Sequence, residues 1–183
     1  NVVGNTLVFT PVSWQISNIF FLETASILFI AKNIKNKQHL TVITNSIENL
    51  LELSDITEWD IISTGGSLKA GSMSFLGIRA AESIQTYNAD KVFLSCKGLD
   101  IEKGVTEGND EASSIKQSMI QSAKKVYLTV DSSKFDRVAF SKTCPLSRLD
   151  VVVTDQKPEQ RWMDAFEKNG VQCIYPEETN ENN

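Results

Sequence analysis

One histidine, His39, and three cysteines, Cys96, Cys144 and Cys173, stand in a chain of 183 residues. A lone histidine in NKQHL leaves no Ser-His-Asp or Cys-His arrangement to build. The cysteines are odd in number, far apart and without metal-ligand spacing, so no zinc site is expected and they read as reduced thiols in or near a core. A Walker loop and a GxGxxG turn are both missing. No apolar run reaches the ~20 residues of a membrane span. The N-terminal LVFTPVSWQISNIFFL is broken by Pro11, Ser13, Gln15, Ser17 and Asn18, and it lacks the basic flank of a signal peptide. Positive charge is short as well. A formal net charge of −5 does not suit a surface that grips nucleic-acid phosphates by itself. These absences point to a soluble cytoplasmic chain with no cofactor and no metal. The first residue is Asn1 rather than methionine, which fits a piece of a larger parent.

What is present is an alternation of apolar runs and amphipathic runs. Strands are expected at Asn18 to Leu22, Leu40 to Thr44, Trp59 to Ser63, Lys91 to Ser95, Val126 to Val130, Asp150 to Thr154 and Val171 to Tyr175. Helices are expected at Ala25 to Ile34, about Ser46 to Leu53, Ile78 to Tyr87, Glu111 to Lys124 and about Pro158 to Asn169. Short, nearly continuous apolar strands separated by such helices indicate a mostly parallel sheet covered on both faces, a Rossmann-like α/β fold. There is no internal repeat. One domain over residues 1–176 is expected, with a polar, disordered tail at 177–183.

In such sheets ligands sit outside the carboxyl ends of the strands. Polar residues collect there five times: Glu23-Thr24-Ala25-Ser26, Thr44-Asn45-Ser46, Thr64-Gly65-Gly66, Cys96-Lys97-Gly98 and Asp131-Ser132-Ser133-Lys134. Thr24 and Ser26 either cap a helix or help its N-terminus hold an anion, and an inward-pointing Glu23 would repel a phosphate. Asn45 can donate to a ligand hydroxyl. Gly65-Gly66 permits either a tight turn or a close backbone approach. Lys97, Gly98 and Asp100 follow a strand, and Asn109 or Asp110 caps a helix that carries Glu111 and Lys116. Lysines suit phosphate and carboxylates suit sugar hydroxyls, although Lys116 also reads as part of a solvated helix face. Lys134, at the end of VYLTVDSSKF, either meets an anion or covers its own loop.

The succession HLTVITNS, STGGSLKAGSMSFLG, ADKVFLSCKGLDIEKGVTEGNDEASSIKQSM, KKVYLTVDSSKF and LDVVVTD resembles the C-terminal sensor domain of DeoR-family bacterial transcription regulators. The likeness runs from about Asn18 to Tyr175, and the segment 1–17 matches poorly. The resemblance implies a fold shared with ribose-5-phosphate isomerase, glucosamine-6-phosphate deaminase and coenzyme A transferases. It also implies a sugar-phosphate effector, and DNA binding only through an N-terminal winged helix-turn-helix. Carried over residue by residue, it places Asn45, Gly65, Gly66, Gly98, Asp100, Lys116 and Lys134 around the effector. Two stretches depart from the family pattern. LETAS, Leu22 to Ser26, stands where the family has a D-x-G-T-T-like phosphate loop, so that only Ser26 is a conservative match and Thr24 a partial one. Lys97 stands where a small or acidic residue is usual.

The expected function is therefore the effector-binding and oligomerisation domain of a sugar-operon regulator, in the main a repressor, acting as a homodimer or homotetramer. An isomerase or deaminase of the same fold, using Asp100, Glu111 or Asp131 as base, is an alternative class. An assembly domain that has lost its ligand is another.

Overall fold

The computed structural model describes residues 19–23 and 39–176. The expected helix from Ala25 to Ile34, Thr24 and Ser26, the segment 1–17 and the tail at 177–183 lie outside them.

The sheet is built from short β-branched and aromatic runs. β1 (Ile19–Leu22), β2 (Thr41–Thr44), β3 (Asp60–Ser63), β6 (Ala89–Leu94), β9 (Ala123–Val130), β11 (Val151–Thr154) and β12 (Gln172–Ile174) form, among the described residues, a seven-stranded sheet ordered β12-β11-β9-β6-β1-β2-β3. Every pairing in it is parallel, from Leu22 beside Thr44 to Val153 beside Ile174. The residues alternate between two buried faces as the pleat requires. Ile43, Val92, Leu94, Val126, Leu128 and Val152 belong to one core. Their neighbours Val42, Phe93, Tyr127, Val151 and Val153 belong to the other. Burial on both faces is why these strands read as continuous apolar runs.

Helices α1 (Ile47–Leu53), α2 (Ile78–Gln85), α3 (Asp110–Gln121) and α4 (Gln160–Asn169) connect the strands. Ser46 caps α1 by accepting from the Asn49 amide at 3.3 Å, and Asn109 caps α3 by accepting from the Ala112 amide at 2.8 Å. Gly170, left-handed at φ 70°, closes α4. The expected helix from Glu111 to Lys124 ends early, and β9 begins at Ala123 rather than Val126. Helix propensity in Ala-Lys-Lys yields to pairing with β6, where Ala123 lies beside Ala89 and Lys125 beside Lys91. Lys124 and Lys125 then reach Asp90 and Asp150 at 2.8 and 2.7 Å.

Two small antiparallel units were not expected. β4 (Ser67–Lys69) pairs with β5 (Ser74–Leu76), and β7 (Gly98–Asp100), β8 (Gly104–Glu107) and β10 (Ser141–Cys144) form a three-stranded sheet. Both sit over the carboxyl ends of the large sheet. Gly66 has φ +104°, and a Cβ there would lie 2.7 Å from the Leu76 carbonyl oxygen, so the hairpin requires glycine at that position.

The candidate functional site

The chain winds outward from β1 through β2 to β3, then returns to place β6 on the other side of β1. That reversal is the switch point of the sheet, where two connections diverge and leave a crevice. A cavity of about 640 Å³ opens there. Glu23 leaves β1, Ser95-Cys96-Lys97 leave β6, and both groups line it. The β2–α1 turn contributes Asn45 and Ser46, the end of β8 gives Glu107, and α3 gives Ala112 and Lys116.

The floor carries ionisable groups and is buried. Lys116 is 2% exposed, Glu107 4% and Glu23 7%. The Lys116 ammonium lies 3.2 Å from Glu23 Oε2, donates to the Ser95 carbonyl at 2.8 Å, and pairs with Glu107 Oε1. Glu23 Oε2 also accepts from the Ser95 amide and hydroxyl at 3.4 and 3.3 Å. Burial raises the Glu23 pKa above the ordinary carboxyl value. The Lys116 charge opposes this and the Glu107 charge adds to it. Burial pulls Lys116 down, but the fields and hydrogen bonds of the two carboxylates outweigh it, so its pKa is raised. Burial also pushes the neighbouring Cys96 thiol up to about 12, which makes it a poor nucleophile.

Asn45 is buried in the wall. Its amide donates to the Phe75 carbonyl at 3.3 Å, while its Oδ1 has no donor among the described residues. The Asn45 backbone carbonyl accepts from the Phe75 amide at 2.7 Å, which fastens the β4–β5 hairpin to the turn. Thr44 Oγ1 accepts from the Ser46 amide and the Asn49 side chain, so TNS shapes this corner of the cavity as well as lining it.

Of the residues expected at the site, Asn45, Lys97 and Lys116 come together in this cavity, whereas Gly65, Gly66, Gly98, Asp100, Glu111 and Lys134 do not line it. Gly98 is closed in by backbone, and a Cβ there would meet the Arg137 carbonyl carbon at 2.8 Å. Asp100 Oδ1 accepts from the Glu102 and Lys103 amides at 2.9 and 2.8 Å, which fixes the β7–β8 turn. Glu111 is exposed and pairs with Lys69 at 3.4 Å. Asp131 accepts from Ser133, Asp155 accepts from Ser132, and Lys134 stays partly exposed 3.9 Å from Asp131.

Reading the sequence missed Glu107 and the inward turn of Glu23. Lys116, expected at the effector, is also open to a reading as part of a solvated polar face, although Ala112, Ile115 and Met119 place it on the apolar stripe of α3. That spacing was the available signal. Glu107 gave none, because its burial depends on β10, more than thirty residues later.

Residues 16–156 match the family described as the DeoR C-terminal sensor domain. The chain is 38% identical over 132 residues to the HTH-type transcriptional regulator YulB of Bacillus subtilis (strain 168), covering 72% of this chain and 51% of that protein. It is 33% identical over 143 residues to the HTH-type transcriptional repressor GlcR of the same organism, covering 78% of this chain and 55% of GlcR. Among solved structures it is similar to ribose 5-phosphate isomerase A from Methanocaldococcus jannaschii, with a TM-score of 0.45 and 12% identity over 66% of this chain and 48% of that one. The chain thus spans about half the length of the curated relatives it matches. Those relatives are named as transcriptional regulators, not as enzymes. The chain belongs to the DeoR C-terminal sensor domain family.

Proposed function

We propose that this domain is the effector-binding part of a DeoR-type repressor of a sugar-use operon, and that the effector is a phosphorylated sugar held in the cavity at the β1–β6 switch point. The observation that carries the reading is the cavity itself: about 640 Å³, large enough for a small ligand, with buried charged groups converging on its floor. Asn45 and Lys97 from the expected set contact the ligand in this proposal, together with Glu23 and Glu107, while Lys116 holds the two glutamates in place. DNA is bound by the helix-turn-helix of the whole regulator, consistent with the net charge of −5 in the sensor chain. A homodimer or homotetramer in the cytoplasm belongs to the same proposal, since two-fold operators are matched by symmetric proteins.

A thermal-shift screen against sugar phosphates, their unphosphorylated parents and inorganic phosphate tests it. A ligand at ~100 times its dissociation constant adds about 2.7 kcal/mol. For a domain of this size that is a rise of roughly 5–11 °C. One or two sugar phosphates raising the midpoint and recovered unchanged is the expected result. Recovery of a converted compound replaces the sensor with an enzyme, and no shift from any compound leaves only an assembly domain.

A further inference from the structure

The cavity has two unlike ends. At the floor, the three N–H bonds of the Lys116 ammonium meet three acceptors: Glu23, Glu107 and the Ser95 carbonyl. A lysine has three donors and no more, so none is left for a ligand. What the floor and wall have to spare is acceptors. Glu23 Oε1 carries no hydrogen bond among the described residues, and neither does Asn45 Oδ1. The two glutamates share that one ammonium, so the floor has no spare cation or donor. Spare acceptors without a free donor suit sugar hydroxyls and do not suit phosphate.

The rim is different. Lys69 is exposed there but is engaged by Glu111 at 3.4 Å. Glu48 is exposed on the same rim. Lys97 is exposed too, lies over Gly108 at the start of α3, and has no carboxylate partner among the described residues. Of the described lining residues it is the cation left free for an anion.

We propose that the ligand enters with its hydroxyl-bearing end toward Glu23 and Glu107 and its anionic group at the rim beside Lys97, so that sugars with one terminal phosphate are accepted and bisphosphates are refused. The inference rests on the reading of the cavity as a sugar-phosphate site and adds its orientation and specificity. A phosphate carries about −1.5 to −2 charge at neutral pH, so a second one at the floor faces acceptors and finds no free donor or cation to balance it. Lys97 is thus a specificity-determining residue, and Lys116 positions the two carboxylates rather than gripping the anion.

The test is isothermal titration of the 183-residue chain with pentose and hexose monophosphates, the matching bisphosphates and the parent sugars, repeated on Lys97→Met and Glu107→Gln. Circular dichroism on each variant checks that it is folded. At least one monophosphate binds wild type, and its bisphosphate binds at least tenfold more weakly. Losing a charge-assisted contact in Lys97→Met weakens the monophosphate about tenfold while leaving the parent sugar unchanged. Glu107→Gln brings an amide donor to the floor and narrows the gap between mono- and bisphosphate. A bisphosphate that binds wild type as tightly as its monophosphate, or a Lys97→Met chain that binds the monophosphate normally, overturns the orientation and leaves the sensor reading standing. No binding by any sugar phosphate overturns both.

Discussion

Replacing Lys116 with methionine removes the one cation set between two buried carboxylates. The methionine keeps much of the length of the chain, so the loss is chiefly electrostatic. Breaking a buried ion pair by removing one partner costs about 3–5 kcal/mol, because the remaining charge is left desolvated. At ~2–4 °C per kcal/mol for a chain of this size, the midpoint falls by roughly 6–20 °C. The sign of the pH dependence follows from Glu23, which burial already holds above the ordinary carboxyl value while Lys116 opposes. Without the ammonium, that pKa rises further. A carboxyl whose folded pKa is raised binds its proton more tightly in the folded state than in the unfolded one. Stability is therefore retained below the unfolded value and lost as pH rises through the folded one. The cost of Lys116→Met is then largest at pH 8 and shrinks toward pH 5. Urea denaturation followed by circular dichroism at both values measures it. A cost below about 1 kcal/mol at pH 8, or one that is equal at the two pH values, refutes the argument that the floor is a buried ionic triad.

Other expectations rest on packing. Gly66→Ala places a Cβ 2.7 Å from the Leu76 carbonyl oxygen and 2.9 Å from the Ala80 Cβ at a φ of +104°, so it destabilises the chain by about 2–4 kcal/mol in the same urea assay. Trp162 is 1% exposed, packs edge-on to Phe135 with ring centroids 4.8 Å apart, and donates to Asp136 at 3.2 Å. Trp162→Ala costs about 3–5 kcal/mol, and a smaller loss means the α4 face is less well packed than described. Asp155→Ala frees the Ser132 amide, which it holds at 2.7 Å, and lowers stability by about 1–2 kcal/mol while speeding amide exchange at Ser132 and Ser133.

Much of this architecture is legible because its signals are local. VYLTV and DVVVT are apolar on both sides of the pleat, and only a sheet buried on both faces accommodates that. The turn-forming clusters at Thr44, Thr64, Cys96 and Asp131 mark where parallel strands end, so their convergence on one side follows from strand direction alone. The hairpin at Ser67–Leu76 and the sheet of β7, β8 and β10 are not legible in the same way. Their strands are three or four residues long, and their pairing is decided by distant partners such as Ser141 beside Glu107. The site divides along the same line. Asn45 and Lys97 are placed by the strand ends that carry them. Lys134, which sits equally well after its strand, is held by a loop that Asp155 and Asp131 fold onto itself. Glu107 enters the cavity through tertiary pairing, and the burial of Lys116 depends on the two glutamates that neutralise it.

In the proposed function the effector binds in the cavity at the carboxyl ends of β1 and β6. Amide hydrogen exchange with and without a saturating sugar monophosphate tests it most directly. The greatest slowing is expected at Asn45–Glu48, Ser95–Lys97 and Glu107–Ala112, the segments that wall the cavity. Slowing confined to the small pocket bounded by Ser132, Asp136 and Trp162, or to the one beside His39 and Trp59, would contradict it.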